Sequence, residues 1–451
     1  MPREHLLKIG VSGIRGVVGE FLTPQLACAF GQAFGTYVGR GRVVVGRDTR
    51  ATGEMLQFAT QCGLLAAGCE VVDVGILPTP TIQMYVAASG ARGGIALTAS
   101  HNPPEYNALK LFNAQGLFFN HYERTELIDL YHQSDFLQVE NNEIRGVRQD
   151  LHTAQGMHLE RALKHVDVAA IRARRFRVAL DAVNGAGAVM TPGYLTEHLG
   201  CELHAIAIDP TKPFPRIAEP RPDTLGDLSA LVREKGCEIG FAQDPDGDRL
   251  AVVDENGTVL DNDDVLALAV DAVLARLPGP VVVNLTTSSV IDDIAAKYGR
   301  KVYRTPVGEA NVVEMIQAMH AVIGGEGSNG GIIFPAVHLC RDSYTGMAFV
   351  LELLAKTGCT VSELAARLPR YYRRLGKVAY EHGRLGSLMQ ALEERFTDAT
   401  VDRSDGLKMM WPGRWIHVRA SNTEPLLRLA AEAKSEEEME RLYSEVEAAL
   451  R

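Results

Sequence analysis

The stretch Gly94-Ile95-Ala96-Leu97-Thr98-Ala99-Ser100-His101-Asn102-Pro103-Pro104 decides how this chain folds. Its apolar start, Gly94 to Leu97, reads as a strand buried on both faces, and it ends abruptly in a polar loop. Asn102-Pro103-Pro104 stiffens that loop and forbids smooth continuation into a helix. Upstream, the sequence predicts a strand at 42–46, a helix at 55–67 and a strand at 70–74. Short β-rich runs alternating with helical periodicity are the signature of α/β units with buried parallel strands.

The same order recurs twice. A second pass has a strand at 177–180, a helix at 190–199, a strand at 202–208, a helix near 225–235 and a strand at 238–242. The third has 280–284, 290–298, 301–303, a helix near 311–319, and 321–323. The last strand of each pass runs into a loop of unusual chemistry: Ser100-His101-Asn102, then Asp244-Pro245-Asp246-Gly247-Asp248, then Glu326-Gly327-Ser328-Asn329. Ligand groups collect beyond strand C-termini in open sheets, so the three loops are expected to converge on one central cleft. After Leu368-Pro369 the pattern changes to strands at 377–380, 415–418 and 426–430 and a charged helix at 436–450. The expected fold is α/β, with three similar mixed α/β domains at 1–152, 153–253 and 254–368 and a smaller C-terminal α+β domain at 369–451.

At 451 residues the chain is too long for one ordinary core. Its 23% charged and 46% hydrophobic residues fit a soluble globular protein, and a net charge of −10 argues against nonspecific nucleic-acid binding. An anionic ligand would need locally concentrated Arg and Lys. The seven cysteines are scattered without a CxxC pair, which predicts reduced thiols and a cytoplasmic location. No apolar run is long enough to span a bilayer, and Met1 to Gly10 has no secretory pattern.

Asp244, Asp246 and Asp248 put carboxylates at alternate positions of a curved loop, where all three can face one centre. Oxygen-only ligands suit a hard cation such as Mg²⁺, which keeps open positions for phosphate oxygens. An EF-hand is excluded, because its glycine is the sixth loop residue and Gly247 is the fourth. A solvated Asp-Gly turn would need fewer acids than this loop carries. Ser100 alone would read as a loop or cap residue, and His101 beside it is poorly placed as the base of a hydrolase triad. Lys110, on the run Ala108-Leu109-Lys110-Leu111-Phe112, reads either as an amphipathic edge residue or as a group that positions a phosphate or moves a proton. Arg419-Ala420-Ser421-Asn422-Thr423-Glu424-Pro425, with Arg428 beyond it, reads as a hairpin turn or as a cradle for a dianion. Arg15 lies in the glycine loop Ser12-Gly13-Ile14-Arg15-Gly16.

Together these motifs resemble the α-D-phosphohexomutases over essentially the full length. Four diagnostic loops stand in order: TASHNPPEYNALK from Thr98, DPDGDR from Asp244, GGEGSNGG from Gly324 and RASNTEP from Arg419. The resemblance implies that Ser100 is phosphorylated and that Asp244, Asp246 and Asp248 bind Mg²⁺ with the Ser100 phosphate. Lys110, Arg15 and Arg249 would surround the transferring group. Glu326 and Ser328, with Asn329, would contact sugar hydroxyls, and Arg419, Ser421, Asn422, Thr423 and Arg428 would hold the phosphate that is not reacting.

Phosphoserine would donate to a hexose phosphate, giving a 1,6-bisphosphate that turns over and returns its other phosphate, with hexose 1,6-bisphosphate as activator. A hinge near Leu368-Pro369 would open and close the C-terminal domain. Many family members carry a histidine where this chain has Gly330, so Lys110 is the leading proton shuttle and His101 the second. The sugar loop GEGSNGG has one residue more than the GEGNGG form of archaeal-type phosphoglucosamine mutases, but the overall look, including Thr305-Pro306-Val307-Gly308-Glu309, is similar to that branch. Glucosamine phosphate is therefore the favoured substrate, with mannose or glucose phosphate next. A metal-dependent phosphatase or a noncatalytic sugar-phosphate sensor are the readings of other classes. No nucleic-acid or membrane partner is implied, and the chain is expected to be a monomer or homodimer.

Overall fold

The structure is a computed structural model that describes residues 8–10, 13–381, 383–421 and 426–450. It divides into two compact units, one formed by Met1–Asn262 with Gly330–Leu364 and the other by Asp263–Asn329 with Ala365–Arg451.

The first unit is built on two sheets. The larger has seven strands in the order Lys8–Gly10, Gly13–Val17, Tyr106–Asn113, Gly93–Leu97, Arg42–Arg47, Glu70–Ile76 and Val147–Gln149. Arg42–Arg47 runs parallel to both of its neighbours, while Tyr106–Asn113 runs antiparallel to Gly93–Leu97. Every residue of Gly93–Leu97 is buried, as the unbroken apolar run requires.

Two helices on this sheet, Pro24–Tyr37 and Gly53–Ala66, pack unusually closely because glycines face the contact. A Cβ on Gly31 would stand 2.4 Å from the Thr60 carbonyl oxygen. The first of these helices starts where Thr23 accepts from the Leu26 N–H, with Pro24 as its first residue.

The second sheet orders Leu250–Val253, Ile239–Gln243, Arg177–Asp181 and Glu202–Ile206. Here too the strand after the functional loop turns back, because Leu250–Val253 is antiparallel to Ile239–Gln243. The two sheets are thus mixed rather than purely parallel. Their chemical loops are hairpin connections tethered at both ends, which a reading based on parallel strands alone does not anticipate.

In the second unit, Val302–Thr305, Val281–Asn284 and Ile323–Glu326 lie parallel. A five-stranded antiparallel sheet orders Tyr372–Ala379, Leu426–Ala433, Arg414–Ala420, Leu407–Trp411 and Thr400–Asp402. Helices Leu385–Arg395 and Glu436–Leu450 bury Leu392, Leu442 and Val446 in one core with Met409, Ile416 and Leu427.

Most expected elements appear with shifted ends, and three differences have clear causes. The strand expected at 321–323 is Ile323–Glu326, so Glu326 closes the strand rather than following it. The helix expected at 190–199 is an α-helix, Gly187–Gly193, that widens into a π turn, Tyr194–His198. Pro192 lies inside it and cannot donate an i→i−4 hydrogen bond. Helix Thr79–Ala88 has no sequence counterpart, because its first eight residues are all buried and it shows no polar face to read.

None of the seven cysteines is paired in a disulfide. Burial pushes the Cys69 thiol up to about 11 and the Cys201 thiol up to about 12. An alkylating reagent at neutral pH should label exposed Cys62 in the native protein and reach Cys69 and Cys201 only after unfolding, as read by peptide mass spectrometry. Because these two folded-state values lie above the ordinary thiol value of about 8.5, their stabilising contribution is complete below that pH and is lost as pH rises through their folded values.

Candidate active site

Ser100 lies at the mouth of the Gly93–Leu97 hairpin, 3% exposed, with φ of 49°. That left-handed backbone costs an L-residue about 1–2 kcal/mol, so the surrounding contacts must hold it. Its N–H donates to Thr98 Oγ1 at 2.9 Å, and its Oγ donates to Asp244 Oδ2 at 2.7 Å.

Asp244, Asp246 and Asp248 are all buried, with one oxygen from each within 4.8 Å of the others. Three carboxylates this close cannot all stay ionised without counter-charge. Burial, then Asp248 and Asp246, push the Asp244 carboxyl well above the usual carboxylate range. Burial acts the same way on Asp246, but the Lys110 ammonium outweighs it and holds Asp246 ionised. Lys110 Nζ donates to Asp246 Oδ2 at 2.5 Å and lies 3.6 Å from Asp248 Oδ2. Burial works against the ammonium, yet Asp246 and Asp248 leave its pKa above the ordinary lysine value. Its strand pairs on both sides, so Lys110 is an interior residue and not an edge one.

Asp246 Oδ1 and Asp248 Oδ1 are buried and find no hydrogen-bond partner. Two orphaned carboxylate oxygens on a three-carboxylate cluster are the donor set of a hard divalent cation, so the residues fit a magnesium ion.

Cationic groups ring this cluster. Arg15 Nη1 donates to Asn102 Oδ1 at 2.7 Å. Arg249 pairs with Glu219 at 2.6 Å and donates its N–H to Asp244 Oδ1. His101 is driven down to about 2 by burial and then by Arg249, Arg15 and Arg341, so its imidazole is neutral at physiological pH.

The second unit holds the other expected residues. Glu326 Oε1 accepts from Asn284 Nδ2 and the Gly308 N–H, each at 2.9 Å. Ser328 lies in the short turn Gly327–Asn329, half-buried. Arg419 and Arg428 face each other across an antiparallel pair, and Lys377 faces Arg428 from the other side. Like charges directly opposite are destabilising unless an anion or acid compensates them. Burial and Arg428 pull the Arg419 pKa down, while Asp405 and Glu326 work against that fall. The Ser421 N–H donates to the Leu426 carbonyl at 2.8 Å. Asn422, Thr423 and the side chain of Asn329 lie outside the described residues.

Sequence reasoning missed Asp48, Arg50, Thr79 and Arg341. Thr79 Oγ1 donates to Asp246 Oδ2 at 2.6 Å, and Arg341 Nη2 to Asp248 Oδ2 at 2.7 Å. Asp48 and Arg50 follow a strand parallel to Gly93–Leu97, so the strand-end rule that flagged Ser100 could have found them. Arg341 carries no comparable local signal.

The chain matches the profiles of phosphoglucomutase/phosphomannomutase α/β/α domains I, II and III at residues 6–138, 157–257 and 261–372. The C-terminal domain of that family matches residues 382–449. A phosphoglucomutase/phosphomannomutase of Thermococcus kodakarensis is 41% identical over 436 residues, covering 95% of each chain. A protein of Methanopyrus kandleri named "Probable phosphoglucosamine mutase" is 40% identical over 440 residues, covering 97% of this chain and 96% of that one. Among solved structures, a phosphoglucomutase/phosphomannomutase family protein from Burkholderia thailandensis superposes with a TM-score of 0.84 at 28% identity, covering 98% of both chains. The chain therefore belongs to the phosphoglucomutase/phosphomannomutase family. It is a phosphohexomutase, an enzyme of the isomerase type. No helix among the described residues is long and apolar enough to cross a membrane.

Gly330, which stands where many relatives were expected to carry histidine, has φ of 66°, and a Cβ there would lie 2.6 Å from the Leu250 carbonyl oxygen. A side chain cannot enter without moving backbone. Gly330→Ala should lower stability by about 1–2 kcal/mol or more, measured by urea unfolding.

Proposed function

We propose that Ser100 carries the phosphoryl group and that the chain interconverts the 6- and 1-phosphates of glucosamine through a 1,6-bisphosphate. The observation that carries the reading is the Ser100 hydroxyl, 2.7 Å from Asp244 in a buried carboxylate cluster with two unpartnered oxygens. The paired arginines Arg419 and Arg428 add a cradle for a second phosphate, which a hydrolase acting on a monophosphate would not need.

Asp244, Asp246 and Asp248, with the Ser100 phosphate, would hold Mg²⁺. The ion would neutralise phosphoryl oxygens as charge builds. Arg15 and Arg249 supply further positive charge at the phosphoserine. A sugar hydroxyl oxygen forms the new P–O bond as the bond to Ser100 Oγ breaks. Lys110, held protonated, supplies the proton that Ser100 Oγ takes up on leaving, and the proton of the attacking hydroxyl restores it. A neutral His101 with depressed basicity is the weaker proton acceptor. Glu326 and Ser328 would contact sugar hydroxyls, and Arg419, Ser421 and Arg428 the distal phosphate. Asn329, Asn422 and Thr423 are proposed there from their motifs. The four-domain division at 152/153, 253/254 and 368/369 and a cytoplasmic location are proposed on the same footing.

Full-length relatives named for glucosamine support that sugar, with the Methanopyrus kandleri protein at 40% identity. The Thermococcus kodakarensis relative, named for glucose and mannose phosphates, keeps those as the second reading.

The test is ³¹P NMR of the purified protein with Mg²⁺, a trace of hexose 1,6-bisphosphate, and glucosamine 6-phosphate, glucose 1-phosphate or mannose 1-phosphate in turn. Transfer between C1 and C6, fastest for the glucosamine compound, is expected. Inorganic phosphate as sole product would make the protein a phosphatase. Ser100→Ala should retain its circular dichroism spectrum and lose turnover to background. Lys110→Met should lower kcat by about 10²–10⁴-fold. Chelation of the metal should abolish turnover and added Mg²⁺ restore it.

A further inference from the structure

The mechanism leaves unused a buried pair below the serine loop. Arg50 and Asp48 are 3% and 1% exposed, and every N–H of the Arg50 guanidinium has an acceptor. Nε donates to Asp48 Oδ2 at 3.1 Å. Nη1 donates to the carbonyls of Pro103 at 2.7 Å and Tyr106 at 3.0 Å. Nη2 donates to those of Ser100 at 2.6 Å and Asn102 at 2.7 Å. One planar side chain thus grips four carbonyls of the loop that carries the serine. Only a guanidinium has the five fixed donors to do so.

The grip closes on itself. Asp48 Oδ2 also accepts from Thr98 Oγ1 at 2.7 Å, and Thr98 Oγ1 in turn accepts from the Ser100 N–H at 2.9 Å. Asp48 Oδ1 accepts from the Arg50 N–H at 2.9 Å. The N–H and the C=O of Ser100 are therefore tied, through Thr98 on one side and directly on the other, to the same ion pair. Both peptide groups flanking the serine α-carbon are fixed, and these are the groups whose rotation would release its φ of 49°. The pair is also neutral as a whole, so it orders the loop without adding net charge beside the carboxylate cluster.

We propose that Asp48, Arg50 and Thr98 form a positioning ring that holds Ser100 in its left-handed conformation and so aims Oγ at the carboxylate cluster. The inference rests on Ser100 being the phosphoryl carrier. It assigns these three residues to kcat rather than to sugar binding, because none of them is placed to touch the sugar. A displacement of about 1 Å at a reacting atom costs on the order of 10²-fold in rate.

Steady-state kinetics of Thr98→Val, Thr98→Ser and Arg50→Lys in the full-length enzyme test it, alongside mass spectrometry of the Ser100 peptide from the unaltered protein. Thr98→Val keeps the shape and removes the link to the Ser100 N–H. Its kcat should fall by about 10²-fold with KM for the sugar phosphate unchanged, while Thr98→Ser, which keeps the hydroxyl, should stay within a few-fold of the parent. Arg50→Lys keeps the charge but cannot span four carbonyls, and should show the same split. Unchanged kcat in Thr98→Val, a rise in KM alone, or failure of both Thr98→Val and Arg50→Lys to fold would overturn the positioning role. An unphosphorylated Ser100 in active parent enzyme would instead overturn the carrier assignment on which the ring depends.

Discussion

Asp244, Asp246 and Asp248 are buried side by side, and much of the first unit follows from what that arrangement requires. Like charges in a low-dielectric setting are costly, and the protein answers with Lys110 from one sheet and Arg341 from the segment after Gly330. The counter-charges are incomplete, since two carboxylate oxygens accept nothing. The remaining capacity is what a divalent cation and a phosphoserine would use.

The sheets hold these groups in place through a repeated device. The strand that carries each chemical loop in the first unit lies parallel to a neighbour and then returns antiparallel through the loop. A loop tethered at both ends has less freedom than one that wanders into a helix, which suits a site whose chemistry depends on placement. The Arg50 guanidinium adds a third tether beneath the serine.

Much of the site was legible in the sequence because its residues cluster in short motifs. The acidic loop, the serine loop and the arginines flanking the fourth motif could each be marked from residue type and spacing alone. Sheet direction was harder to read. A buried strand is apolar on both faces whether its neighbour is parallel or antiparallel, so Tyr106–Asn113 gave no sign of its reversal. The wholly buried helix Thr79–Ala88 lacked the polar face that makes helices visible. Lys110 was ambiguous for a related reason: its strand could have been an edge, and only pairing on both sides made the lysine interior.

The sequence by itself determined the repeated strand and loop grammar, the acidic triad, the serine and the family, because periodicity and motif spacing are properties of neighbours along the chain. Only the tertiary structure decided that burial and its acidic neighbours raise the Asp244 carboxyl, that Lys110 faces Asp246 and Asp248, and that Thr79 and Arg341 reach the acidic cluster. Those outcomes depend on burial and on distances of a few ångströms between groups up to 167 positions apart, as between Thr79 and Asp246, and no local pattern encodes them.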